Sequence, residues 1–110
     1  MDQSEIRKFL EEIQNEVLED FKKIVEINSY TCNKDGVNQV GKICVEMFEK
    51  LGFQSKIVED DHPLHGSHVF LTHKGKKKKN LLLVSHLDTV YSEKEEKERN
   101  FFWREEGNHI

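Results

Sequence analysis

The segment NLLLVSHLDTVYS, residues 80–92, places the most hydrophobic run of the chain directly before two chemically active side chains. Residues 81–84 are all aliphatic, so a strand here needs cover on both faces, which predicts a central strand of a sheet. His86 and Asp88 follow, and side chains two positions apart in extended backbone point the same way. Ligands of open α/β sheets bind beyond the carboxyl ends of the strands. The segment therefore predicts a site at the end of a buried strand.

Apolar residues recurring at threes and fours predict two amphipathic helices upstream of this segment. The first covers residues 6–25 and the second residues 37–51, with Asn33 and Asp35 as candidate N-caps. Gly52 follows the second helix, where glycine readily adopts the left-handed conformation that ends a helix.

Short strands are predicted at FQSKIVE, residues 53–59, and at HVFLTH, residues 68–73. The lysine-rich stretch 74–80 is predicted to be a hairpin turn joining the second of these strands to the central one. Residues 92–99 are expected to form an exposed loop or a short helix, and residues 101–110 a strand, a Glu-Gly-Asn turn and the start of a returning strand. The fold class expected is α/β, with two helices packed on a mixed β-sheet.

The amino-acid composition indicates which kinds of partner and which compartment to expect. Charged residues make up 35% of the chain and the net charge is -4, so neither nucleic acid nor membrane is expected as a partner. The histidines of HPLHGSH, residues 62–68, and the lysines of residues 74–79 are accordingly interpreted as a surface loop and a solvated turn, rather than a metal site and a nucleic-acid patch. Two cysteines are too few for a disulfide framework, which favours a cytoplasmic protein.

The pair His86 and Asp88 suggests a metal site. A histidine that ligates zinc commonly donates its other ring N–H to a carboxylate, which sets the tautomer and strengthens the ligand. On spacing alone the pair is also compatible with ordinary hydrogen bonding at the end of a strand.

Longer motifs favour the metal interpretation. LLLVSHLDTVY, residues 81–91, resembles the strand and first metal-ligand motif of the zinc-dependent exopeptidase and deacylase family, which includes glutamate carboxypeptidase, acetylornithine deacetylase, succinyl-diaminopimelate desuccinylase and aminoacylase. FKKIVEINSYTCNKDGVNQVGKICVEMFEKLGF, residues 21–53, resembles the family's opening helix, its serine-containing loop and its second helix. The resemblance extends from about Val17 to Ile110. Ser85 departs from it, because the family often has glycine there.

The resemblance implies a two-zinc amidohydrolase or metallopeptidase that cleaves an amide bond beside a carboxylate, with a peptide or an N-acyl amino acid as substrate. His86 would be a metal ligand, and Asp88 the active-site carboxylate that orients it. Residues 1–110 would form a partial catalytic domain that ends before the family's metal-bridging aspartate and is inactive on its own.

A second interpretation remains open. The chain would then be a non-catalytic, stand-alone module that self-associates. Under either interpretation a homo-oligomer is expected, because a sheet that lacks its later strands leaves an edge open to another strand.

Overall fold

The computed structural model describes residues 2–110, which contain three helices and a two-stranded sheet. In chain order these are α1 (Gln3–Val25), α2 (Lys34–Glu49), β1 (Gln54–Val58), β2 (His68–Thr72) and α3 (Glu93–Arg99). The described chain divides into two compact units. Residues up to Glu26 form one unit together with Phe102–Ile110, and Ile27–Phe101 form the other. None of the helices described is both long and apolar enough to cross a membrane.

The first unit is built on α1, the first helix predicted from the sequence. Its N-terminus is closed by reciprocal bonds, in which the Glu5 amide donates to the Asp2 carboxylate at 2.9 Å and the Asp2 amide to the Glu5 carboxylate at 2.8 Å. The rings of Phe21 and Trp103 meet edge to face with their centroids 5.5 Å apart. The turn predicted near the C-terminus is confirmed by backbone bonds between Glu106 and His109, but residues 101–105 form no strand.

In the second unit, α2 begins at Lys34, so that Asn33 is its N-cap and the other candidate, Asp35, lies within the first turn. The side chain of Asn33 accepts a hydrogen bond from the Gly36 amide at 3.1 Å, which satisfies one of the free donors of the first turn. Gly52 follows the helix with a φ of 86°, as expected for a residue that ends it.

The sheet consists of β1 and β2, which pair antiparallel from Gln54 opposite Thr72 to Val58 opposite His68. Helix α2 packs on both strands, and Gly41 allows close approach, since a Cβ there would lie 3.3 Å from Val69. The buried apolar residues among those described are Val37 and Val40, both on α2. The mixed α/β composition expected from the sequence is confirmed. The predicted mixture of parallel and antiparallel strands is wrong for the sheet described.

The predicted central strand is also wrong. Residues 81–84 have no regular secondary structure, and their side chains are 83–85% exposed. Strand β2 pairs with β1 rather than with this segment, so residues 74–80 do not form the turn of a hairpin between them. An apolar run indicates a strand that needs cover on both faces, and the described part of the chain supplies neither a neighbouring strand nor a covering layer. Of the two alternatives predicted for residues 92–99, the structure has the short helix: α3 follows its N-cap residue, Ser92.

Candidate functional site

Two loops of the second unit are held side by side at the candidate site. The Thr31 amide donates to the Thr89 carbonyl at 3.0 Å, and the Thr89 amide donates to the Ser29 carbonyl at 2.8 Å. These two bonds make a short parallel bridge between the loop before α2 and the segment that contains His86 and Asp88. A third bond runs from the Asn28 side-chain amide to the Tyr91 carbonyl at 3.0 Å.

The loop before α2 keeps its shape through bonds of its own. The Asn33 side-chain amide donates to the Asn28 carbonyl at 2.8 Å, so the residue that caps α2 also closes the loop. Gly36 lies directly against that carbonyl, and a Cβ at this position would overlap the Asn28 oxygen. The loop that supports the site can therefore adopt this geometry only with glycine at position 36.

Asp88 is the best-anchored side chain of the site. The Thr31 hydroxyl is 2.6 Å from Asp88 Oδ2 and 3.2 Å from the Thr89 carbonyl oxygen. Because a hydroxyl has one proton and the carboxylate contact is shorter and charge-assisted, the proton is best placed on the bond to Asp88. The other carboxylate oxygen, Oδ1, lies 3.6 Å from His86 Nδ1. The predicted convergence of His86 and Asp88 is thus present, at a separation slightly beyond a direct hydrogen bond.

Exposure differs sharply between the two residues. The His86 side chain is 89% exposed and that of Asp88 only 33%. The imidazole is therefore open to a ligand from solvent, whereas the carboxylate is partly enclosed and held in place by Thr31. This difference in exposure suits a histidine that binds a ligand from solvent and a carboxylate that positions the histidine ring.

The electrostatics of the site favour the ionised form of Asp88. The hydrogen bond from the Thr31 hydroxyl lowers the pKa of the Asp88 carboxyl, with smaller contributions from its own backbone N–H and from His86, while partial burial opposes the shift. Near neutral pH the group is a carboxylate, which can accept a hydrogen bond from an N–H of the His86 ring.

The site as described is not a complete metal centre. Within residues 2–110, no group of three histidine, cysteine, aspartate or glutamate side chains is arranged to hold a metal ion. A catalytic zinc generally takes three protein ligands, and His86 supplies one. The fit to zinc therefore covers a single ligand with its supporting carboxylate.

The histidines of residues 62–68 and the lysines of residues 74–79 take no part in the site around His86 and Asp88. Asp60 Oδ2 is 2.9 Å from His68 Nε2, and Asp60 Oδ1 is 3.4 Å from His65 Nδ1, in a surface loop. The His62 amide and His68 lower the pKa of the Asp60 carboxyl. Lysines 74–79 are exposed, as predicted for a solvated segment. Thr31 is the residue that sequence reasoning missed, because nothing in a hydroxyl-bearing loop 57 residues from Asp88 signals which hydroxyl will meet the carboxylate.

Comparison with known proteins adds no family assignment: no family model matches the chain, and no curated protein or solved structure matches it either.

Replacing Thr31 with valine is expected to lower the free energy of unfolding by about 1 kcal/mol at pH 7, because the variant keeps the shape and loses the bond to a partly exposed carboxylate. The pKa of Asp88 is lowered by folding, so its contribution is present above the unfolded pKa of about 3.9 and is lost as the pH falls through the folded value. Urea unfolding at pH 7 and at pH 2.5 measures the free energy of unfolding with Asp88 ionised and with Asp88 protonated.

Thr72→Val is the matched control, since Thr72 is exposed on β2 and makes no side-chain hydrogen bond to the rest of residues 2–110. It should change stability by less than about 0.5 kcal/mol at either pH. A loss in Thr31→Val that is equally large at both pH values would contradict the assignment, because it would not depend on the charge of Asp88.

Proposed function

We propose that His86 and Asp88 belong to the active site of a zinc-dependent amidohydrolase or metallopeptidase of the two-metal type. The observation that supports this most directly is the pairing of an 89% exposed imidazole with a carboxylate 3.6 Å away, which accepts a hydrogen bond from Thr31 that lowers its pKa. The motif LLLVSHLDTVY and the order of the upstream elements point to the same chemistry through their resemblance to the exopeptidase and deacylase family.

In this proposal each residue has a separate task. Asp88 accepts a hydrogen bond from His86 Nδ1–H when the ring closes the remaining gap; Nδ1 keeps its proton, which fixes the tautomer and leaves the Nε2 lone pair for a metal. Thr31 keeps the Asp88 carboxylate from rotating away, so it is a positioning residue. Zinc, when bound, supplies Lewis-acid activation of water and of the scissile carbonyl.

The substrate class proposed is a peptide or an N-acyl amino acid, cleaved at the amide beside its carboxylate. The remaining metal ligands and the general base lie outside the described residues in this proposal, and the 110 residues on their own are expected to be inactive. Both cysteines are free thiols, in keeping with a reducing compartment such as the cytoplasm.

The test is to sequence the encoding DNA beyond the codon for Ile110 and to assay the product of the complete reading frame with zinc or cobalt. A panel of N-acyl amino acids and dipeptides should be hydrolysed in a metal-dependent manner. His86→Ala should lower kcat/KM by at least about 100-fold, and Asp88→Asn by about 10- to 100-fold.

His109→Ala is the matched control, because it removes a histidine from a C-terminal turn in the other compact unit, and it should leave activity within about twofold. Metal-independent hydrolysis, or full activity in His86→Ala, would contradict the proposal. An immediate stop codon, with no turnover, would favour the second candidate.

That second candidate is the non-catalytic module that self-associates. It is favoured by one specific observation, the exposure of the four aliphatic side chains at residues 81–84. Isolated apolar residues are common on protein surfaces, but a contiguous exposed run of this kind typically marks an interaction site.

A further inference from the structure

The run Leu81–Val84 is the most exposed apolar segment of the described chain. Each of its four side chains is 83–85% exposed, whereas the exposed apolar residues of α1 lie between 41% and 55%. Residues 81–85 form no backbone–backbone hydrogen bond with the rest of residues 2–110, so their N–H and C=O groups are also free to pair. Apolar side chains together with unpaired backbone groups are what one strand offers to another.

We propose that Leu81–Val84 pairs antiparallel with the same segment of a second copy of this chain, forming a two-stranded interface around a two-fold axis. This inference concerns the surface at residues 81–84 and does not depend on the zinc proposal. A second copy is a suitable occupant because the segment is self-complementary in its apolar residues, and two-fold symmetry lets each copy contribute the same patch.

Charge selects the antiparallel arrangement. The segment is preceded by a run with five lysines and no acidic residue, 74–79, and is followed by residues 86–92, which contain Asp88 and no lysine or arginine. In-register parallel pairing would set the two lysine runs against each other, and like charges directly opposite are destabilising. Antiparallel pairing instead places each lysine run beside residues 86–92 of the other copy.

The end of the partner segment strengthens this complementarity. Residues 86–92 lead into α3, whose first turn carries Glu93, Glu95 and Glu96. With Leu82 opposite Leu83, Lys77 of one copy faces Asp88 of the other, and Lys74 reaches toward the start of α3.

The interface is small, which sets the expected affinity. Four aliphatic side chains per copy fall at the low end of protein interfaces, where association is weak and transient. We therefore expect a monomer–dimer equilibrium in the micromolar range. It should weaken with added salt, because the lysine contacts are exposed.

Light scattering coupled to size exclusion, from about 1 to 200 μM, tests the association. The mass should rise with concentration from 13.0 kDa toward twice that value. Leu83→Asp should abolish the rise, since it puts a charge in the middle of the paired segment. Leu51→Asp is the matched control, because Leu51 is 68% exposed elsewhere in the same unit, and it should dimerise as the unaltered chain does.

Spin labels test the orientation. A label at Lys76→Cys, in a background with Cys32→Ser and Cys44→Ala, would lie opposite residue 89 of the partner. The two labels would then be about 40 Å apart, at roughly 3.4 Å per residue along a strand, against about 5 to 15 Å in a parallel pair. Circular dichroism on each variant establishes that the fold is retained.

Three results would overturn the inference: a monomer across the whole concentration range, dimerisation that survives Leu83→Asp, or the short distance expected for a parallel pair. If the chain is a monomer at all concentrations, amide hydrogen exchange shows whether residues 81–84 are covered within the same chain. Protection at residues 81–84 that does not change with concentration would show that another part of the same chain covers the segment.

Discussion

Gly36→Ala is expected to lower the free energy of unfolding of the second unit by about 3 kcal/mol or more. The added Cβ would overlap the Asn28 carbonyl oxygen and would lie 2.8 Å from the Asn33 side-chain amide. Neither neighbour can easily move, because Asn33 caps α2 and Asn28 bonds the Tyr91 carbonyl of the candidate site. Overpacking of this kind ordinarily costs about 1 to 3 kcal/mol, and backbone atoms cannot relax as a flexible side chain would.

Two other glycines calibrate the measurement by urea unfolding. Gly41→Ala lies in the same helix, but its Cβ would stand 3.3 Å from Val69 and 3.4 Å from Leu87, in each case from a side-chain methyl group rather than from backbone. Its effect should stay within about 1 kcal/mol, since the gain in helix propensity offsets the crowding. Gly75→Ala has open space around it and should be nearly neutral. Equal stability of Gly36→Ala and Gly41→Ala would show that the contact with Asn28 does not constrain the fold.

Val40→Asp is the second substitution with a large expected effect, about 3 to 5 kcal/mol at pH 7. Val40 is 3% exposed and Val37 is 5% exposed, and these are the buried apolar residues among those described. A carboxylate introduced at position 40 would lose its hydration without a designed partner, and an uncompensated buried charge is strongly destabilising. With so small a core, we expect the second unit to unfold under mild conditions.

Gln39→Asp is the matched control, because it introduces the same residue into the same helix at the adjacent exposed position. Its effect should be below about 0.5 kcal/mol. Burial raises the pKa of the introduced carboxyl in the folded state, so the stability difference between the two variants should narrow as the pH falls through that raised value. The difference should be smallest below the unfolded pKa of about 3.9. If both variants unfold at the same urea concentration at pH 7, burial of Val40 does not stabilise the unit.

Local features of the chain were predictable because their causes lie within a few residues. The spacing of apolar residues indicated α1 and α2, and Asn33 and Gly52 marked the limits of α2. Both short strands before residue 74 were found from their composition. In each case the decisive interaction connects neighbours in sequence, such as the cap formed between Asn33 and Gly36.

The candidate site was predictable only in part. The sequence predicted that His86 and Asp88 would lie close together, and the structure places His86 Nδ1 3.6 Å from Asp88 Oδ1. The reason given was strand geometry, whereas residues 86–88 form no strand and Leu87 lies in a bend. The hydroxyl of Thr31 reaches Asp88 only through the bridge between two loops. A contact across 57 residues depends on where the intervening elements place the chain, and no local pattern encodes it.

The sequence by itself indicated α1, α2 with Asn33 as one of two candidate caps, the strands β1 and β2, and the proximity of an imidazole to a carboxylate. Tertiary structure decided which strands pair and which apolar residues are covered. Leu81–Val84 shows the difference most clearly, since its hydrophobicity predicted burial while the described chain leaves it exposed. The hydrophobicity of a segment indicates how much free energy its burial would contribute. Whether the segment is buried depends on the arrangement of the other elements, or on a second molecule.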